Sequence, residues 1–223
     1  MSLIAKENSE RIPPLDAGIY EAVCSQLIDL GRQYSKQFDS TYHKIRIVWD
    51  VIGETVTVGE KTWQRTVYVD LTNSLDEKSN LRKILVSWRG REFTPDELKG
   101  FNLANILGVG CQVQLIHKPS EKGGVYANVQ TVLPFPKGKT APQVEPIIFD
   151  LSDPDTYPVF DTLPKYLQKR IAESEEFDDT GLQLPDEDAE DAQSGSRVPV
   201  GVGVGVGNPG DFAEIEDDGD LPF

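Results

Sequence analysis

Residues Tyr42 to Ile52 alternate more strictly than any other part of the chain. Ile45, Ile47, Trp49 and Val51 fall on one side, and Tyr42, Lys44, Arg46 and Val48 on the other. A two-residue period buries its apolar members only as a strand, because a helix would scatter them around its circumference. Comparable segments flank it. Gly18 to Leu30 carries Ile19, Tyr20, Val23, Leu27, Ile28 and Leu30, with Gly31 ending or bending it. Thr62 to Leu71 sets Val67, Val69 and Leu71 against Gln64, Thr66, Tyr68 and Asp70. Cys111 to Lys118 and Val125 to Leu133 alternate again. Between the third and fourth strands the period changes. Ser79 to Trp88 gathers Leu81, Ile84, Leu85 and Trp88 on one stripe, and Gly90 stops it. Thr94-Pro95-Asp96-Glu97 is a capping box with proline at the first helical position, opening a second helix that runs toward Leu107 past Gly100.

The order is therefore strand, strand, strand, helices, strand, strand, a mainly β chain. It is the layout of an OB-fold, a partly open five-stranded barrel, here with a helical insertion between strands 3 and 4. A different five-stranded barrel or an α+β sandwich gives a similar string. The barrel is expected over residues 16–135, after a polar arm at 1–15. Residues 136–177 are rich in proline. Within them, Leu163 to Phe177 can form an amphipathic helix with Leu163, Tyr166, Leu167 and Ile171 on one side. That helix docks on the barrel, docks on a second subunit, or remains a linker.

Charge divides the chain in the same place. Residues 1–142 hold 18 Lys+Arg against 16 Asp+Glu, and residues 143–223 hold 4 against 21, which accounts for the net charge of -15. Such asymmetry points to a folded domain with a charged interaction tail. Residues 178–223 are acidic and include a Val-Gly repeat at Val198 to Gly207. This composition buries too little apolar surface to offset ordering entropy, so a largely disordered acidic tail is expected, with a coil span of roughly 35–40 Å. Cys24 and Cys111 fit no metal-ligand spacing and read as buried thiols. No apolar run approaches the ~20 residues of a membrane span, and the first residues lack the layout of a secretory signal. A soluble, cytoplasmic protein without a cofactor is the expectation.

The chain closes on Asp217-Asp218-Gly219-Asp220-Leu221-Pro222-Phe223. Pro222 disfavours helix at Leu221, so the tip stands extended and offers a ring, an α-carboxylate and several acids together. A shallow apolar pocket rimmed by Lys or Arg on a partner would receive it.

A barrel of this type, a Gly-rich linker and an acidic end finishing Asp-Leu-Pro-Phe together resemble a single-stranded DNA-binding protein of the bacterial and bacteriophage type. The resembling stretches in the barrel are Leu71-Thr72-Asn73-Ser74-Leu75, Ser79-Asn80-Leu81-Arg82, Trp88-Arg89-Gly90-Arg91, Phe101-Asn102-Leu103 with Ile106-Leu107-Gly108, and Val125-Tyr126-Ala127-Asn128-Val129. The resemblance implies a protein of a bacteriophage or of a bacterium, working in the bacterial cytoplasm, that protects single-stranded DNA in replication and recombination. It implies recruitment of replication, recombination and repair partners through Asp217, Asp218, Asp220, Leu221, Pro222 and Phe223. Self-association is compatible with it.

Single-strand binding needs cations along a groove and rings for unstacked bases. Tyr42, Lys44 and Arg46 on the second strand share an outer face with Gln64 and Tyr68 on the third. Tyr34, Lys36 and Phe38, read as part of a loop at Gly31 to Thr41 with Arg32, would close over the DNA. Arg82, Arg89 and Arg91, with Lys83, form a basic cluster that fits phosphate contact or simple solubility. Trp49 and Trp88 read as core, and Trp63 as either. A tail near -17 would compete with DNA for this groove, so a cut after Pro142 is expected to tighten binding at low salt. Two rival readings stand beside this one. One is an adaptor whose barrel binds protein while the tip captures replication factors. The other is an enzyme such as a nuclease, for which residues 16–135 offer only scattered acids.

Overall fold

The computed structural model describes residues 12–58, 60–120 and 124–185. The chain is mainly β. Strands β1 (Gly18–Ser35), β2 (Ser40–Val58) and β3 (Lys61–Thr72) are followed by helices α1 (Asn80–Arg89) and α2 (Pro95–Lys99) and a 3₁₀ turn at Leu103–Ile106. Then come β4 (Gly110–Pro119), β5 (Val125–Pro134) and a short β6 (Ile147–Phe149). A 3₁₀ segment at Pro154–Thr162 leads into helices α3 (Lys165–Ala172) and α4 (Phe177–Thr180). No helix among the described residues is long and apolar enough to cross a membrane.

The hydrogen-bonded order is β3-β2-β1-β4-β5, with β6 added to β1. All pairs are antiparallel except β1–β6, which is parallel. Five strands were expected, and β6 makes a sixth. Its signal was only three apolar residues between Pro146 and Asp150. β1 serves two neighbours along its length: Gly18 to Val23 pair with β4, while Ala22 to Ser35 pair with β2. β3 and β5 are the open ends of the path; they approach each other, and α1 packs against both.

The alternation predicted for β2 is the one observed. Ile45, Ile47, Trp49 and Val51 are buried in the main core with Val67, Val69 and Leu71 of β3, Val113 and Leu115 of β4, and the α1 stripe Leu81, Ile84, Leu85 and Trp88. Ser79 caps α1, accepting a hydrogen bond from Arg82 N, and Gly90 closes it in the left-handed region at φ 66°. The Thr94–Glu97 capping box forms as read. The helix it opens stops at Lys99 rather than reaching Leu107. Gly100 adopts extended backbone, and Asn102 starts a separate turn by accepting from Ala104 N. β2 continues to Val58 after a register shift between Asp50 and Thr55.

A second core was not foreseen as such. Ile28 and Leu30, on β1, are buried with Phe149, Leu151, Phe160, Leu163, Leu167, Ile171 and Phe177. The proline-rich stretch thus folds back on the sheet, and the amphipathic helix predicted there docks through its predicted face. Each such side chain contributes about 1.5–3 kcal/mol when fully buried. Seven of the nine come from residues 149–177 and lie against Ile28 and Leu30 of β1. Gly31 is where the layer comes closest. It continues β1 at φ +67°, and a Cβ placed there would lie 2.5 Å from Ser174 Cβ and 2.7 Å from Leu151 Cδ1.

Candidate nucleic-acid interface

The outer face of β2 and β3 holds the residues that the alternation assigns to it, but the second layer covers its centre. Arg46 is fully buried. Its guanidinium donates from Nε to Asp70 Oδ1 (2.6 Å) and from Nη2 to Asp70 Oδ2 (2.8 Å), and from Nη1 to the Tyr166 hydroxyl (2.9 Å). It lies 4.0 Å from the centre of the Tyr68 ring. Arg170 of α3 adds a third cation–carboxylate contact, Nη1 to Asp70 Oδ2 at 2.8 Å. Burial opposes ionisation of Asp70, but the charge of Arg46, its hydrogen bonds and then Arg170 hold the carboxyl below its ordinary range. Arg46 and Tyr68 are therefore corrected from DNA contacts to members of a buried lock between sheet and α3.

Gln64 is corrected as well. Its amide donates to the carbonyls of Val51 and of Glu54 (2.8 Å for the second), so it pins the irregular part of β2. In the basic cluster each arginine already has an acid. Arg89 is held by Glu97 and stacked by Phe93 (4.3 Å) and Phe101 (5.1 Å). Arg91 donates to both Glu97 oxygens at 2.8 and 2.9 Å, and Arg82 lies 3.8 Å from Glu92. Of these pairs, Arg89 with Glu97 ties α1 to α2, and the others tie each helix to the loop between them. They leave Arg91 exposed but not as an unmatched phosphate site.

What remains open is the end of the β1–β2 hairpin. β1 runs through the expected loop to Ser35, and residues 36–39 make the turn. Lys36 is exposed, Phe38 is 44% exposed and Tyr34 59%. The Tyr34 hydroxyl donates to Asp39 Oδ1 at 2.5 Å. Phe38 and Tyr42 meet edge to face with centroids 6.2 Å apart, and Lys44 Nζ lies 5.7 Å from the centre of the Tyr42 ring. Phe38, Tyr42 and Lys44 thus form one group at the hairpin end, with Phe38 exposed and Tyr42 and Lys44 half-buried, and the exposed Lys36 and Tyr34 belong to the same hairpin. A further ring, Trp63, sits near the β2–β3 turn with Lys61 Nζ 5.7 Å from its centre. Sequence reasoning left Trp63 undecided; the adjacent lysine was the available signal. Trp49 and Trp88 are buried against each other, centroids 5.9 Å apart, as read. Comparison with protein-family models gives no match, and comparison with curated proteins gives none either. The tip residues Asp217, Asp218, Asp220, Leu221, Pro222 and Phe223 lie outside the described residues.

Below the hairpin, β1 and β2 open onto a cleft of about 420 Å³. Leu27 and Ile45 line it from the sheet, and Phe101, Asn102 and Ala104 from the loop after α2. His43 Nε2 and Asp29 Oδ1 are 2.7 Å apart at its edge. The hydrogen bond that Asp29 accepts raises the His43 pKa against the opposing effect of burial. A raised folded-state pKa stabilises the fold fully below the unfolded value of about 6.5, and that contribution is lost as pH rises through the folded value. NMR titration is expected to place the His43 ring above the ordinary histidine value, and Asp29→Asn to return it there. An unshifted wild-type ring would show that the pair does not persist in solution. Cys24 and Cys111 are free and buried, and burial pushes both thiols up, which leaves them poor nucleophiles.

Proposed function

We propose that the chain binds single-stranded DNA without strong sequence preference, on a barrel of OB type, and recruits replication, recombination or repair proteins through its acidic end. The strand order β3-β2-β1-β4-β5, with α1 across the two free ends, supports the barrel assignment. The observation that carries the function is the hairpin end, where exposed Lys36 and Phe38 stand with half-buried Tyr42 and Lys44. Exposed rings beside lysines are the chemistry that stacks unpaired bases while neutralising phosphates. In this reading DNA is taken at the hairpin end of the barrel rather than across the middle of β2 and β3.

Anisotropy of a labelled oligothymidylate of about 20 nucleotides, longer than one OB-type site, tests it. The protein is expected to bind with an affinity that falls as salt rises. Phe38→Ala with Tyr42→Ala is expected to weaken binding about tenfold or more, since each stacked ring contributes about 1–3 kcal/mol. No binding at low salt would leave the protein-binding adaptor as the better account. That adaptor is favoured by one observation, the covered sheet face. The effect of the acidic tail is measured on a chain ending at Pro185. A cut after Pro142 would strip the cover from Ile28 and Leu30.

A further inference from the structure

We propose that the cleft between the β1–β2 hairpin and the loop after α2 takes one unpaired base out of the bound strand. The inference rests on the single-stranded DNA reading and names the part of the ligand that this cleft admits. Its volume of about 420 Å³ lies at the small end of the range for ligand pockets, roughly 300–1,000 Å³, and suits a base with its sugar. Leu27, Ile45 and Phe101 give it apolar and aromatic walls for a flat ring.

The polar groups decide what kind of ring. The Asn73 side chain lines the cleft and makes no hydrogen bond among the described residues. Its backbone is fixed, since Asn73 N donates to His43 O at 2.7 Å. Asn102 spends its Oδ1 on Ala104 N, which leaves the Nδ2 donors of its amide for a ligand. The acids of the cleft are already engaged. Asp29 accepts from Gly31 N, Asp150 from Ser152 N and Oγ, and Glu176 from Arg32 N. A phosphate would meet the repulsion of these three carboxylates. A neutral planar group with carbonyl acceptors escapes it and matches the amide donors, which is the edge of a pyrimidine or of guanine.

The position agrees with the exposed rings. Tyr42 and Lys44 flank His43 along β2 on the opposite face, and β3 leaves β2 at this point, its last bond being Asn73 N to His43 O. A strand stacked on Tyr42 can therefore turn one base around the edge of β2 while its phosphates stay outside.

The test compares two labelled probes on the full chain: an oligothymidylate and an abasic oligomer of the same length. Asn73→Ala and Ala104→Phe are each expected to weaken oligothymidylate binding about tenfold, the loss of one good base contact, and to leave the abasic probe unchanged. An oligothymidylate carrying iodouracil is expected to crosslink to Phe101 of the wild-type protein. Asn73 is exposed, so its variant should fold. If Ala104→Phe does not fold, Asn73→Ala and the crosslink decide. Wild-type binding with both variants unaffected and no crosslink at Phe101 overturns the base pocket and leaves the DNA reading standing. Equal loss on both probes overturns it too, because the cleft would then serve the backbone. Failure of the wild type to bind either probe removes the parent reading and this one together. In that case, capture of a basic peptide by the wild type that Asn73→Ala abolishes would reassign the cleft to a protein.

Discussion

Replacing Asp70 by Asn lowers the unfolding free energy by about 3–5 kcal/mol, the range for removing one partner from a buried charge pair. The carboxylate accepts from two arginines at 2.6 to 2.8 Å, and its side chain is 9% exposed while that of Arg46 is 1% exposed. Asparagine keeps the shape but leaves two guanidinium groups facing each other with no anion between them. Arg46 cannot escape to water, because Tyr68 and Tyr166 enclose it. Urea unfolding measures the change, and a loss below about 1 kcal/mol would mean that the triad is solvated and behaves like a surface pair. The acid limb gives a second readout. The folded-state pKa of Asp70 is depressed, so its contribution is present above the unfolded carboxylate value of about 3.9 and is lost as pH falls through the lower folded value. The variant should lack that part of the acid sensitivity. It also bears on function: were the covered face the DNA platform, loosening its cover would tighten oligothymidylate binding, whereas binding at the hairpin is left unchanged.

Gly31→Ala is expected to cost about 2–5 kcal/mol, from two sources. A non-glycine residue in the left-handed region costs about 1–2 kcal/mol, and forcing a methyl group into a packed contact costs about 1–3 kcal/mol. Gly31 has φ +67°, and its absent Cβ would overlap Ser174 and Leu151. Gly53→Ala separates the two sources. Gly53 has φ +82° with nothing within 4 Å of a Cβ, so it bears only the conformational cost, about 1–2 kcal/mol. Equal losses for the two variants would show that the second layer does not press on β1 at Gly31.

Local signals were readable in the chain itself. Ser79 and Gly90 bracket α1, Thr94 to Glu97 open α2, and the period of β2 separates Ile47 from Arg46. Each depends on residues a few positions apart. The lock on Arg46 depends on Asp70 and Tyr166, which lie 24 and 120 positions away, and no short-range pattern encodes that pairing. On a solvent-facing strand, Arg46 beside Tyr42 and Lys44 looks like a site for DNA. One clue to the cover was present. Leu27 and Ile28 are adjacent apolar residues on one strand, and a strand apolar on both faces has both faces covered. The hairpin group was legible because Lys36, Phe38, Tyr42 and Lys44 needed only to be left alone. The cleft was not, because Asn73, Asn102 and His43 come from three separate segments.

The parallel pairing of Ile28 with Phe149 joins positions more than a hundred residues apart. During synthesis the strands β1 to β5 exist as a complete set well before α3 leaves the ribosome. For that interval Ile28, Leu30, Tyr68 and the Arg46–Asp70 pair, still without Tyr166 and Arg170, face water, and the late closure of so long a loop is intrinsically slow. The nascent chain is therefore sticky while the 38 residues between Pro134 at the end of β5 and Ala172 at the end of α3 are made, roughly 2–8 seconds at about 5–20 residues per second. Holdase chaperones would have their best opportunity in those seconds, and a stall placed just before Lys165 would prolong it.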